Sequence, residues 1–402
     1  MNVVIYAGDN KYYKTLLPIA LELRKRGIQF LFMFSEETQL KFPHQKEYFF
    51  VDGDYDGSKS VGVSETLGIN LPFHPDALII ARERWQPEQS IIREFKEKFN
   101  SKVFCVEINS HILNSIETRL EMFSRMQYPQ NLVDYFFEHS SCAKERRIEC
   151  MDETYRDKCI VVGNPRFSDI NRITNDVSRK YNIDDSKKKI MFWGVINTAR
   201  NETLNALSLL REKTKNTHQI FYKPYPGEPY EAKFKHQFNP FIVDGVQVIY
   251  DENDAFDISN TCEMHICQTS SVFNFAFFFN KTIVNLDSIN GIHEKMNDIS
   301  VYLNESNNGV EDSAKFWMNI WNLKTHEEFK QLIGMERIQK FIKTNDHIAE
   351  VIKNNTIPFD MDFNFLKTDT KPGSDLIKLF DDFLFDGKAP ERIVDFMEQT
   401  LR

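Results

Sequence analysis

At 402 residues the chain exceeds what one hydrophobic core ordinarily supports, so two domains are expected. An apolar fraction of 41% with 27% charged residues is that of an ordinary soluble globular protein. The formal net charge of −9 argues against general binding to DNA or RNA backbones, which needs a basic face.

Phenylalanine is abundant, 35 residues against 4 tryptophans, and reads as core filling. The six cysteines form no Cys-x-x-Cys pair, and no Cys/His cluster has zinc spacing, so free thiols in a reducing cytoplasm are expected. Met1 to Gly8 reads as a short apolar strand without a basic leader, which is not a signal peptide. The longest apolar candidate for a membrane span, 272–279, is far short of the roughly 18 residues needed. Peripheral contact with a membrane surface is left open.

In chain order, residues 2–7 predict a strand and 14–26 a helix with Leu16, Leu17, Ala20, Leu21 and Leu23 on its apolar face and Gly27 as its stop. Residues 28–34 and 76–81 predict buried strands, the second running into Arg82, Glu83, Arg84 and Trp85. A helix is expected at 88–99 and a strand at 102–106, followed by Glu107. Residues 132–137 predict a strand running into Glu138 and His139, and 159–162 one ending in Gly163-Asn164-Pro165-Arg166. Strands alternating with helices imply parallel βαβ units, whose ligands bind beyond the carboxyl ends of the strands. All these polar tails fall there.

A polar stretch ending in Asp184-Asp185-Ser186-Lys187-Lys188-Lys189 precedes a second alternating unit. Strands are expected at 190–193, 219–222, 246–250, 264–267 and 282–286, with helices at 203–211 and 273–279. From about 312 the chain reads as largely helical. The domains expected are 1–167, 168–330 and a helical remainder, 331–402, packing back on the first.

Two short motifs stand at strand-to-helix junctions of the second half. Lys223-Pro224-Tyr225-Pro226-Gly227-Glu228 offers a point charge, a glycine whose backbone admits close approach, and an acceptor for a ribose or base. Gln268-Thr269-Ser270-Ser271 offers two hydroxyls before a helix. Unpaired backbone N–H groups at such a junction favour an anion such as a phosphate. Taken singly, the first also reads as a proline-stabilised surface turn and the second as a helix N-cap.

Together, and in this order, they resemble bacterial transferases of surface-polysaccharide assembly. The CMP-sugar-dependent Kdo transferases and sialyltransferases carry a Lys-Pro-His-Pro or His-Pro motif and then Ser-Ser, and the CDP-glycerol glycerophosphotransferases of teichoic acid synthesis have a comparable pair. The resemblance covers about residues 190–290. It implies an α/β chain of two Rossmann-like domains facing a cleft, the GT-B architecture, with the donor held by the second domain. Lys223, Tyr225, Gly227, Glu228, Ser270 and Ser271 are then the nucleotide-donor contacts. Tyr225 stands where the family has histidine; tyrosine donates a neutral hydrogen bond only, so Lys223 is left to supply the charge.

Glycosyl transfer needs a carboxylate or imidazole to take the acceptor's proton, or a carboxylate nucleophile if configuration is retained. Glu138, His139, Glu107 and Glu83 are the candidates, with Glu138-His139 the first choice for the base and each also readable as an ion pair or cap. Arg82 and Arg84 suit a sugar carboxylate or are surface charges around Trp85; Arg166, in a turn that reads first as a structural hinge, and Asn197 are further substrate contacts. The segment Asp52-Gly53-Asp54-Tyr55-Asp56-Gly57-Ser58 reads chiefly as a solvated turn, with an acidic catalytic motif as the alternative. No P-loop, G-x-G-x-x-G or G-x-S-x-G occurs. The expectation is a metal-independent, cofactor-free, cytoplasmic glycosyltransferase, at the inner membrane face or free. It would transfer Kdo or sialic acid from a CMP-linked donor to a capsule or lipopolysaccharide glycan or glycolipid, with no nucleic acid partner. The alternatives are a CDP-glycerol-type polyol-phosphate transferase, a non-catalytic assembly subunit and a nucleotide-sugar epimerase.

Overall fold

The computed structural model describes residues 1–8, 10–34, 71, 73–81, 83, 86–107, 112, 132–150, 153–168, 176–194, 200–224, 243, 245–268, 272–286, 328 and 334–402. They fall into two compact units. Those within Met1–Arg172, Ile299–Phe341 and Lys378–Arg402 form the first; those within Ile173–Asp298 and Ile342–Ile377 form the second.

The first unit is built on six parallel strands: β1 (Asn2–Ala7), β2 (Gln29–Phe34), β3 (Ala77–Ile80), β4 (Lys102–Val106), β5 (Tyr135–Glu138) and β6 (Cys159–Val161), in the order β2-β1-β3-β4-β5-β6. The period-two alternation of a strand sends Val3, Ile5 and Ala7 into one apolar cluster and Val4 and Tyr6 into the other, so both faces are covered. Helix α1 (Asn10–Lys25) lays Leu16, Ile19, Ala20 and Leu23 on the first face, and α2 (Gln86–Phe99) lays Ile91, Ile92 and Phe95 on the second. Helix α3 (Ser141–Cys150) follows β5 directly.

The second unit carries helix α4 (Val177–Lys180), β7 (Lys188–Trp193), α5 (Arg200–Thr214), β8 (His218–Lys223), β9 (Val246–Val248), α6 (Glu252–Thr261), β10 (Met264–Cys267), α7 (Phe273–Phe278), β11 (Thr282–Asn285) and β12 (Ile357–Pro358). Its six strands are also all parallel, in the order β12-β11-β10-β7-β8-β9. Ile190, Phe192, Ile220, Tyr222, Ile266 and Val284 share one buried cluster on a face of this sheet.

Helices α8 (Met335–Asn355) and α9 (Ser374–Phe380) precede the closing helix α10 (Ala389–Leu401). Ile393, Val394 and Met397 of α10 join the cluster beneath α1. Its acidic face is tied down by Arg26, which reaches Asp395 at 2.5 Å and Glu398 at 2.9 Å. No helix among the described residues is long and apolar enough to cross a membrane. All six cysteines are free, five buried and Cys142 half-buried.

Candidate functional sites at the strand ends

In the first sheet the strand order reverses between β1 and β3, the place where a doubly wound sheet opens a crevice at its carboxyl edge. Glu83, Glu107, Glu138 and His139 all stand at that edge, after β3, after β4, at the end of β5 and just beyond it. The structure brings the three carboxylates onto one guanidinium, that of Arg147 on α3. Its Nη1 lies 3.2 Å from a Glu83 oxygen, while Nη2 pairs with Glu107 and Nε with Glu138. The guanidinium also lies over the Phe136 ring, 4.4 Å from its centroid.

Local structure explains the convergence. Glu107 N–H donates to the Phe137 carbonyl (3.0 Å), which places Glu107 beside Glu138 across adjacent strands. Ser140 caps the following helix by accepting from the Ala143 N–H (3.1 Å), and the Asp382 carboxylate accepts from the Ser141 N–H (2.9 Å). A helix started there carries Arg147 back over the ends of β3, β4 and β5.

Three carboxylates face one guanidinium in a nearly dry setting. Glu138 and Arg147 are wholly buried, and Glu83, whose side chain is 11% exposed, reaches solvent most, against 4% for Glu107. Burial pushes Glu138 up to about 7; Arg147 pulls it down and the Glu107 charge adds to the rise. Burial also disfavours the Arg147 charge, but the carboxylates outweigh it and hold that guanidinium above its usual value. Cys105, whose thiol donates to Glu83 at 3.4 Å, is driven up by burial and the Glu83 charge.

His139 is held differently. Its Nε2 lies 2.6 Å from the Glu107 carbonyl oxygen, which can only accept, so Nε2 carries the proton. Burial lowers its pKa, and the ring is neutral near pH 7. Its Nδ1 meets no hydrogen-bond partner among the described residues.

Arg166 sits in the turn after β6, half-buried, its backbone N–H held by the Asn164 side chain at 3.1 Å. Burial lowers it to about 10, so it stays cationic at neutral pH. The Asp381 carboxylate fixes this turn by accepting from Asn164 N–H at 2.9 Å and Phe383 N–H at 2.8 Å. Arg82 and Arg84 lie outside the described residues.

In the second sheet the order reverses between β7 and β10. Strands β8 and β10 both pair with β7, one on each side. At a strand spacing of about 4.8 Å, their carboxyl ends lie roughly 10 Å apart on one edge. Lys223 ends β8 directly opposite Trp193, the last residue of β7, and its carbonyl accepts from the Gly194 N–H at 2.8 Å. Its ammonium donates to the Tyr250 carbonyl at 3.2 Å. Cys267 ends β10. Tyr225, Gly227, Glu228, Ser270, Ser271 and Asn197 lie outside the described residues, as does the Asp52–Ser58 segment.

Two residues that patterning did not single out support this edge. The Trp193 indole donates to His265 Nδ1 at 3.3 Å, which leaves the proton on Nε2, 3.3 Å from the Ser259 carbonyl. His265 is fully buried and pushed down to about 3, so it remains neutral. Asn274 of α7 is also buried, and its Oδ1 has no partner among the described residues. Arg147, like His265, was unmarked: it lies in Arg146-Arg147, a doublet that looks like surface charge. Among the described residues no group of three or more His, Cys, Asp or Glu side chains is arranged to hold a metal ion.

No family model matches the sequence, and no curated protein matches it. Solved structures match the fold. A UDP-GlcNAc 2-epimerase from Neisseria meningitidis bound to UDP-GlcNAc is 13% identical with a TM-score of 0.56, covering 99% of this chain and 100% of that one. A glycosyltransferase from Rickettsia africae is 11% identical with a TM-score of 0.52 over 100% and 98% of the two chains. The wall teichoic acid polymerase TagF is 12% identical with a TM-score of 0.53 over 99% and 88%. The fold of this chain is therefore the α/β, two-domain GT-B type that such enzymes share.

Proposed function

We infer that the chain is a transferase of bacterial surface-polysaccharide assembly that uses a nucleotide-activated donor, with a CMP-linked acidic sugar such as Kdo or sialic acid as the first choice. One observation carries this reading: the strands that lead into the Lys223 and Ser270 motifs flank β7 at the point where the second sheet reverses. Lys223, Tyr225, Gly227, Glu228, Ser270 and Ser271 are assigned to the donor phosphate and nucleoside. Hydrogen-bond donors and a lysine charge take the place of a metal at the leaving group, so no cofactor is assigned.

The first unit is read as the acceptor side. Glu83, the least buried of the three carboxylates, is the general base in this reading, and Glu107, Glu138 and His139 orient the strand ends around it. Arg166, with Arg82, Arg84 and Asn197, is assigned to substrate. A glycan or glycolipid is the acceptor, reached in the cytoplasm or at the inner membrane face.

The likeness to the TagF polymerase over almost the whole chain favours a second reading, a CDP-polyol phosphotransferase, in which attack falls on phosphorus. A thermal-shift series with CMP-Kdo, CMP-sialic acid, CDP-glycerol and UDP-GlcNAc separates the readings, since a donor at one hundred times its Kd stabilises the fold by about 2.7 kcal/mol. A cytidine-linked sugar alone giving the shift supports the first; CDP-glycerol alone, the second; UDP-GlcNAc alone contradicts both.

A further inference from the structure

The triple lysine Lys187-Lys188-Lys189, whose last two residues open β7, plays no part in the site just described. It opens the amino-terminal edge of the second sheet, whereas Lys223 closes the carboxyl edge. The six residues of β8, His218 to Lys223, put roughly 16 Å between the two. At the amino edge lies a cavity of about 180 Å³, formed wholly within the second unit by the starts of β7, β8, β10 and β11 and the segment that follows Phe365. Ile190, Met264 and Leu366 make its apolar part. Lys188, Lys189, His218 and Lys371 bring positive or titratable charge, against Glu263 and Asp369.

Two carboxylates offset the three lysines of the lining only in part. Asp369 is engaged by Lys371 at 2.8 Å and by the Thr282 hydroxyl at 3.2 Å. Glu263 reaches Lys188 only at 3.8 Å and is itself 55% exposed. Lys189, whose side chain is 12% exposed, has as its ion-pair partner Asp185, 3.4 Å away and 97% exposed. The surplus registers on neighbouring groups. His218 is lowered by burial and then by the Lys188 charge, which outweighs Glu263. Lys281 is lowered chiefly by burial; Cys262 and Glu263 oppose that, and the Lys371 charge adds to it.

We propose that this amino-edge cavity is a second binding site, taking a phosphomonoester on a short carbon body. Pockets for whole drug-sized ligands run to about 300–1,000 Å³, so the cavity is too small for a nucleotide sugar and fits a fragment of one phosphate and a few carbons. Lysine ammonium groups meet the phosphate as point charges, and the apolar part meets the carbon body. Glycerol phosphate in solution and the headgroup of phosphatidate present the same chemistry.

The test follows the imidazole resonance of His218, identified by its absence in His218→Asn, during titration with glycerol 3-phosphate. Vesicles of phosphatidylcholine with and without phosphatidate form a parallel arm. The proposal expects a saturable shift, and binding at least about tenfold weaker in the Lys188→Gln/Lys371→Gln double variant. Both side chains are substantially exposed, so the variant folds, and circular dichroism melting checks this. Glu263→Gln, which removes a repelling charge, is expected to tighten binding about two- to threefold. Sedimentation with phosphatidate vesicles alone, lost in the double variant, supports the lipid source; a shift with the soluble ester supports the free one. No shift at millimolar ester together with no vesicle binding overturns the proposal. So does equal affinity in the double variant, or an equal response to glycerol itself. Donor binding at the carboxyl edge plays no part in any of these readouts, so failure here leaves the transferase reading standing.

Discussion

Arg147 Nη1 lies 3.2 Å from Glu83, and the same guanidinium holds Glu107 and Glu138, so one buried arginine joins the carboxyl ends of three adjacent strands. Arg147→Met strands three carboxylates in an enclosed setting. Breaking a buried pair in this way costs about 3–5 kcal/mol, and the loss is expected in urea unfolding. Glu138→Gln is expected to cost far less, because it removes one of the excess negative charges. If Arg147→Met unfolds at wild-type urea concentrations, the cluster does not organise this edge.

Glu138 also sets a pH dependence. Its folded value of about 7 lies above the ordinary carboxylate value, so between roughly pH 4.5 and 7 the folded chain keeps a proton that the unfolded chain has released. Stability contributed by this group is therefore full below that window and falls as pH rises through it. Asp381, raised to about 6 by burial, acts in the same direction, and His139, lowered by burial, acts in the opposite one. The difference in unfolding free energy between wild type and Glu138→Gln isolates the first effect. It should shift in favour of the variant from pH 5 to 7; a difference that is flat over this range contradicts the assignment.

The fold was legible where strands are buried on both faces. Residues 2–7, 102–106 and 264–267 are short apolar runs with nothing to confuse them with a helix, and the observed strands coincide with them. Strand β5 begins at Tyr135 and not at Leu132, because the Asp134 carboxylate takes the Val103 N–H at 2.8 Å before the ladder proper starts. Helix α3 left no apolar stripe: Arg146, Arg147 and Glu149 are among its buried residues, so periodicity had nothing to register. The same substitution of charge for hydrocarbon hid Arg147 at the candidate site. The strand-end carboxylates could be read, but the cation that gathers them could not.

Trp193 and His265 form the corresponding support in the second unit. His265→Leu leaves the indole N–H buried without an acceptor, and a cost of about 1–3 kcal/mol is expected. In a double-mutant cycle with Trp193→Phe the two losses should fall short of additive, since each removes the same bond. Strict additivity contradicts the pairing.

The start of α3 depends on a residue 241 positions further on, Asp382, which accepts from the Ser141 N–H at 2.9 Å. Asp382→Ala removes this cap and is expected to lower stability by about 0.5–2 kcal/mol. Hydrogen exchange should quicken at the first turn of α3 before it does so in the strands. Unchanged protection there contradicts the capping role.

Calorimetric titration of the cytidine-linked donors into wild type and Lys223→Ala reaches the central claim most directly. The account predicts one bound donor per chain in the wild type and at least about tenfold weaker binding in the variant, the loss of one charge-assisted contact. Equal affinity for wild type and variant, or no donor bound by either, contradicts it.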